Sequence, residues 1–307
     1  MKGENMFQGS MVALVTPFKN GAIDWDAFKK LIDWHIDQGT DIIIPCGTTG
    51  ESATMTHEEH RSVMDFVVDY VDERIPVICG AGSNATEEAV GLVKHAKKAG
   101  AAAALVVTPY YNKPTQEGLY RHYEYIAKKV DIPIVLYNVP GRTGISITPQ
   151  TVARLSKISN IVAIKEASGS VEQASQILDL CNITVISGED ALTWPLMAVG
   201  AKGVISVTAN VAPDRVSKMV HAALDKDMET AEMVHRELFR LNKVMFIETN
   251  PIPVKTALGM MGLIQPEFRL PLCEMSADNK EELTRVLKEL DIRAGTSSQR
   301  KKVGSKK

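Results

Sequence analysis

No stretch of the chain approaches the roughly 18 consecutive apolar residues of a membrane-spanning helix. The opening segment MKGENMFQGS also lacks the apolar centre of a secretory signal, so a cytoplasmic protein is expected. Cysteine is scarce: Cys46, Cys79, Cys181 and Cys273 stand far apart with no CxxC pair, which argues against a disulfide framework or a thiolate metal site and fits small buried thiols. There is no excess of positive charge either. With 35 Lys and Arg against 37 Asp and Glu, the formal charge of −2 removes the broad basic field that nonspecific nucleic-acid binding needs. Five of those cations (Arg300, Lys301, Lys302, Lys306 and Lys307) crowd an acid-free Ser- and Gly-containing tail. Residues 294–307 cannot bury apolar area and are expected to be disordered, with no nucleic-acid or membrane role.

What is present is a 45% hydrophobic share spread through 307 residues, enough for a sizeable core. Short β-branched runs alternate with longer amphipathic segments, a pattern that calls for a parallel sheet with crossover helices. The runs fall at 11–18, 41–46, 76–80, 103–108, 133–139, 161–167, 184–188 and 203–208. Eight such units closed on themselves make an α/β fold, a (β/α)8 TIM barrel, over residues 1–225. Residues 226–293 then read as a C-terminal helical extension, with helical patterns at 228–245, 253–261 and 278–290 and no linker to separate them as a domain. Helix starts carry the expected chemistry: Asp24 before Trp25, Thr56 with Glu59 as a capping box, and Thr148 before Pro149.

Two motifs mislead. Gly80-Ala81-Gly82-Ser83-Asn84-Ala85 superficially fits a dinucleotide fingerprint, but the following strand-like run at 101–105 lacks the required acid, leaving a tight turn with Ala85 close to the sheet. His57-Glu58-Glu59-His60 suggests zinc, yet Arg61 occupies the position where a metalloprotease helix places its second histidine. On spacing alone both histidines read as solvated surface groups.

Barrel enzymes carry their reacting groups at the C-terminal ends of strands and in the loops that follow. Period-two alternation puts Lys165 on one face with Ile161, Ala163 and Ala167, whose small neighbours leave room for a long side chain. If that face is the interior, desolvation favours a free amine able to form a Schiff base with a carbonyl substrate. A lysine that snorkels at the strand end or pairs with a carboxylate fits the spacing equally well. Tyr137 lies at the matching depth of the preceding strand and could move protons onto and off a carbinolamine, although a core tyrosine bonded locally is the simpler reading. The Gly47-Thr48-Thr49-Gly50 turn offers amides and hydroxyls suited to a small carboxylate, and Arg142 could clamp a second carboxylate or pair with a protein acid.

Together, GTTGES at 47–52, VTPYYNKPTQEGLY at 107–120, LYNVPGRTG at 136–144, IKEASG at 164–169, GVISVTAN at 203–210 and NPIPVK at 250–255 carry a resemblance. From about Met6 to Ile292 the chain resembles the dihydrodipicolinate synthase (4-hydroxy-tetrahydrodipicolinate synthase) family of class I pyruvate aldolases, which includes N-acetylneuraminate and 2-keto-3-deoxy-acid lyases. The resemblance implies condensation of pyruvate with L-aspartate-4-semialdehyde in lysine and diaminopimelate biosynthesis, without metal or organic cofactor. It implies an imine on Lys165 and a proton relay through Thr48, Tyr137 and Tyr111, the last from a neighbouring subunit. Thr49 would hold the pyruvate carboxylate, Arg142 that of the semialdehyde, and Gly188 and Ile205 would line the pocket. It further implies feedback inhibition by L-lysine at Ser52, Ala53, His57, His60, Asn84, Glu88 and Tyr110, and a homo-oligomer, at least a dimer and preferably a tetramer built as a dimer of dimers. The rivals are a sugar-acid aldolase of the same fold and a non-catalytic ligand-binding barrel.

Overall fold

The computed structural model describes residues 7–293; the tail assigned to disorder, 294–307, lies outside them. The strands in chain order are β1 (Gly9–Ala13), β2 (Phe18–Lys19), β3 (Ala22–Ile23), β4 (Ile42–Ile44), β5 (Ile78–Gly80), β6 (Ala103–Val107), β7 (Ile134–Asn138), β8 (Ile161–Glu166), β9 (Thr184–Ser187) and β10 (Gly203–Ser206). β2 and β3 form a separate small hairpin. The other eight form one sheet in the order β4-β1-β10-β9-β8-β7-β6-β5, every pair parallel. A bridge between Ile43 and Val77, with the Gly80 amide donating to the Pro45 carbonyl at 3.0 Å, joins the two ends and closes the barrel.

Closure separates two apolar layers. Met11, Ile44, Ile78, Leu105, Val135, Tyr137, Ala163, Ile186 and Ile205 meet inside the barrel, while Val12, Ile43, Leu136, Ile164, Val185 and Val204 face the surrounding helices. Strands buried on both faces explain why the runs read as continuous apolar stretches and not as alternating ones. The expected caps are in place. Asp24 accepts from the Ala27 amide, Thr56 and Glu59 complete a reciprocal capping box, and Thr148 accepts from the Thr151 amide ahead of the helix Pro149–Leu155. Beyond the helix Pro213–Leu224 come the helices Met228–Val244, Ile252–Met260 and Ala277–Glu289. Among the described residues no helix is long and apolar enough to cross a membrane.

Two local expectations are corrected. In the pairing of β7 with β8 the register slips between Ile134 and Val135, which pair with Ile161 and Ala163, so Val162 is an extra residue in β8. Ile161 is thereby turned to the outer layer, and of the three expected neighbours Lys165 shares its inward face with Ala163 and Ala167, while Val162 packs against the inner layer. At the false dinucleotide motif, Ala85 is exposed. The residues that meet the sheet are Gly80 and Gly82, where a Cβ would overlap the Cys46 carbonyl and the Val107 amide at the ends of the neighbouring strands.

Candidate active site

β7 and β8 deliver the two central side chains. Tyr137 and Lys165 are direct register partners, both pointing into the barrel near its C-terminal rim. Lys165 is 6% exposed, and its Nζ lies 4.3 Å from the centroid of the Tyr137 ring. The amine therefore rests over the ring face. It opens into a cavity of about 330 Å³ bordered by Thr48, Thr49, Tyr137, Arg142, Lys165, Ala167 and Gly188. A lysine stretched toward bulk water is thus excluded.

The 47–50 turn is strapped down from several sides. The Thr16 hydroxyl donates to the Gly50 carbonyl at 2.7 Å, and Asn250 Nδ2 donates to Thr49 Oγ1 at 3.0 Å. The amides of Glu51 and Ser52 close the turn on the carbonyls of Thr48 and Gly47, so those two donors of the run serve the turn itself. Arg142 sits in the short helical turn Pro140–Thr143 and donates from Nη2 to the Asn250 carbonyl at 3.1 Å.

Further residues that the sequence did not single out complete the cavity: Asp190, Asn242, Lys243, Phe246 and Asn250. Three of them come from the helix Met228–Val244 and its C-terminal continuation, read from the sequence only as an extension beyond the barrel. An amphipathic pattern marks which helix face is covered; it carries no mark distinguishing a core neighbour from a cavity. Asp190 accepts from the Ser206 hydroxyl and from the amides of Val207 at 2.9 Å and Thr208 at 3.3 Å. Burial raises its pKa, opposed by those hydrogen bonds and by the positive charge of Lys165. Glu189, half-buried beside it, is also raised by burial and by the charges of Glu166 and Asp190.

Ile205 and Tyr111 stand apart. Ile205 belongs to the inner barrel core and is not on the cavity lining. Tyr111 is 90% exposed, with a left-handed φ of 71°, and lies outside the cavity of its own chain.

A second cavity, about 460 Å³, adjoins the first. Ser52, Ala53, His57, His60, Glu88 and Tyr110 line it; Asn84 does not, and its carbonyl instead accepts from Asn112 Nδ2 at 2.9 Å. Thr48, Val139 and Arg142 are walls common to both cavities. His60 corrects the surface reading of the histidine pair. It is 6% exposed, donates from Nε2 to the Gly80 carbonyl at 2.8 Å, and burial holds its pKa below the usual histidine value. His57 remains open to solvent, 3.0 Å from the Glu88 carboxylate, which also accepts from the Ser83 hydroxyl. Among the described residues no group of three or more His, Cys, Asp or Glu is placed to hold a metal ion.

The profile of the Dihydrodipicolinate synthetase family matches residues 6–290. The 4-hydroxy-tetrahydrodipicolinate synthase of Thermodesulfovibrio yellowstonii is 60% identical over 285 residues, 92% of this chain and 98% of the relative. The crystal structure of dihydrodipicolinate synthase from Acinetobacter baumannii complexed with pyruvate is 49% identical with a TM-score of 0.91, covering 93% of this chain and 99% of that one. That of the enzyme from Cyanidioschyzon merolae with lysine bound is 39% identical with a TM-score of 0.90, covering 94% and 99%.

Proposed function

Because the chain belongs to the dihydrodipicolinate synthetase family, we propose that it condenses pyruvate with L-aspartate-4-semialdehyde through a Schiff base on Lys165. The observation that carries this is the position of Lys165, buried on the lining of the cavity with its Nζ against the Tyr137 ring. There the neutral amine adds to the pyruvate ketone, and a proton moved onto the carbinolamine oxygen lets water leave. The resulting imine loses a methyl proton to become an enamine, whose carbon attacks the aldehyde of the second substrate. The amino group of that substrate then adds to the imine carbon and displaces Lys165 as the ring closes, returning the free amine.

Tyr137 and Thr48, both on the cavity wall, are the proton carriers within the chain. Tyr111 of a second subunit completes the relay, which fits an aromatic side chain almost wholly in solvent in one chain and reads as a homo-oligomer, in its fullest form a dimer of dimers. Thr49 and the turn take the pyruvate carboxylate, Arg142 that of the semialdehyde, and Gly188 gives the backbone edge beside Lys165. Ile205 would contribute through its backbone carbonyl, and the enzyme acts in the cytoplasm.

A coupled assay with both substrates tests the reaction, and borohydride reduction in the presence of pyruvate tests the imine. Turnover together with a reduced pyruvyl adduct on Lys165 is expected. An adduct without semialdehyde turnover would point to a sugar-acid aldolase, and no adduct would remove the imine mechanism.

L-lysine is the proposed ligand of the second cavity, with Glu88 facing its ammonium and the common walls Thr48, Val139 and Arg142 connecting it to the site of chemistry. Added L-lysine should lower the rate. Glu88→Ala should raise the half-inhibiting concentration by about tenfold or more, the effect of losing one hydrogen bond to a charged group. A rate that stays flat up to millimolar L-lysine in the unmodified enzyme would remove the inhibitory site.

A further inference from the structure

The turn that bears Thr48 and Thr49 begins and ends on non-glycine residues in the left-handed region, Cys46 at φ 58° and Glu51 at φ 53°. Such conformations persist where the surroundings enforce them. At Glu51 the enforcing partner comes from far along the chain. Lys255, in the helix Ile252–Met260, forms an ion pair with the Glu51 carboxylate, and both side chains are 0% exposed. The Thr54 hydroxyl donates to the other carboxylate oxygen at 3.2 Å, and the Lys255 ammonium lies 4.4 Å from the centre of the Phe18 ring.

A fully buried ion pair is a poor source of stability, since desolvating both charges offsets their attraction, and apolar side chains of similar size would do as well. Apolar side chains would not, however, hold a carboxylate at one point. The placement reaches Thr49 by a parallel tether from the same C-terminal segment, the Asn250 amide donating to Thr49 Oγ1. With its oxygen already accepting, the Thr49 hydroxyl has its proton to donate, and Thr49 lines the cavity.

We infer that Glu51 and Lys255 are a positioning pair, fixing the 47–51 turn so that Thr48 and Thr49 meet the carboxylate of the keto acid. The inference rests on the pyruvate imine proposed above. It makes the helix Ile252–Met260 a determinant of keto-acid recognition, although neither residue of the pair lines the cavity.

The test compares two ketones that differ in the carboxylate, pyruvate and acetone, by borohydride trapping on Lys165 in the full-length enzyme. Glu51→Gln/Lys255→Met removes both charges while keeping volume, so no lone charge is left buried; Glu51→Gln alone keeps an acceptor for the ammonium. In the double variant the half-saturating pyruvate concentration should rise about tenfold, as for loss of well-placed hydrogen bonds to an anion. Acetone labelling should stay within about twofold, because the carboxylate-binding turn plays no part in it. Glu51→Gln should shift the pyruvate-to-acetone ratio in the same direction by less, and its ratio decides the matter if the double variant does not fold. Equal slowing with both ketones, or an unchanged ratio, overturns the inference by making the pair structural only. Absence of labelling by either ketone in the unmodified enzyme would instead remove the imine chemistry and leave the pair without a carboxylate to position.

Discussion

A Lys165→Met enzyme is expected to fold normally and to lose turnover by about a million-fold, the scale seen when a covalent nucleophile is removed and binding alone remains. Methionine nearly matches the length of the lysine stem, and its apolar end suits a site that is 6% exposed. The variant forfeits the attraction between the ammonium and the Tyr137 ring, worth about 1 kcal/mol, but the desolvation cost of burying that ammonium disappears with it. The melting temperature should therefore move by no more than a few degrees. Borohydride reduction with pyruvate should add no mass to the variant. Turnover within tenfold of the unmodified enzyme, or an adduct on another residue, would move the chemistry away from Lys165.

The barrel is legible in the sequence because its strands are covered on both faces, so each announces itself as an apolar run. The ends of the runs are less so, since hydrophobicity reports burial and not hydrogen bonding. The first run reads as 11–18, whereas β1 spans Gly9–Ala13; Leu14 and Val15 continue the apolar stretch because they are buried just beyond its end, and Phe18 because it is buried at the start of the separate hairpin. Alternation gives the inward direction of Lys165 correctly but for a partly wrong reason. Strict period two includes Ile161, and the extra residue Val162 removes it, a slip that leaves no trace in composition. His60 misleads because a helix's first turn is exposed on average, while the particular helix His57–Val71 turns His60 onto the end of β5. Asn250 and Lys255 lie in a segment that stands out as a motif, but their partners, Thr49 and Glu51, are more than 200 positions away in the chain, and no local pattern encodes such a meeting.

Gly188→Ala is the sharpest geometric test of the site, and turnover is expected to fall about a hundredfold, the cost of misplacing a reacting group by about 1 Å. A Cβ at Gly188 would stand 2.7 Å from Ala167 Cβ, 3.1 Å from the Glu166 carbonyl and 3.1 Å from Lys165 Cε. The first two neighbours cannot yield. Ala167 has no rotamer to change, and the Glu166 carbonyl is held by the Gly188 amide at 2.8 Å. The Glu166 side chain is itself fixed by Asn138 Nδ2 at 3.0 Å, the Ser168 amide at 2.8 Å and Gln173 Nε2 at 3.1 Å. What can move is the lysine stem, so the new methyl group should push the amine off its position over Tyr137. The accompanying loss of stability is about 1–3 kcal/mol, typical of an overpacked core and small enough for the variant to be purified. Trapping by borohydride should slow in proportion to turnover, since imine formation is the step disturbed. Adding Ala167→Gly removes the tightest clash and should recover part of both rates. If Gly188→Ala leaves trapping unchanged, or if the second substitution recovers stability without recovering trapping, crowding of Lys165 is not how this glycine serves the site.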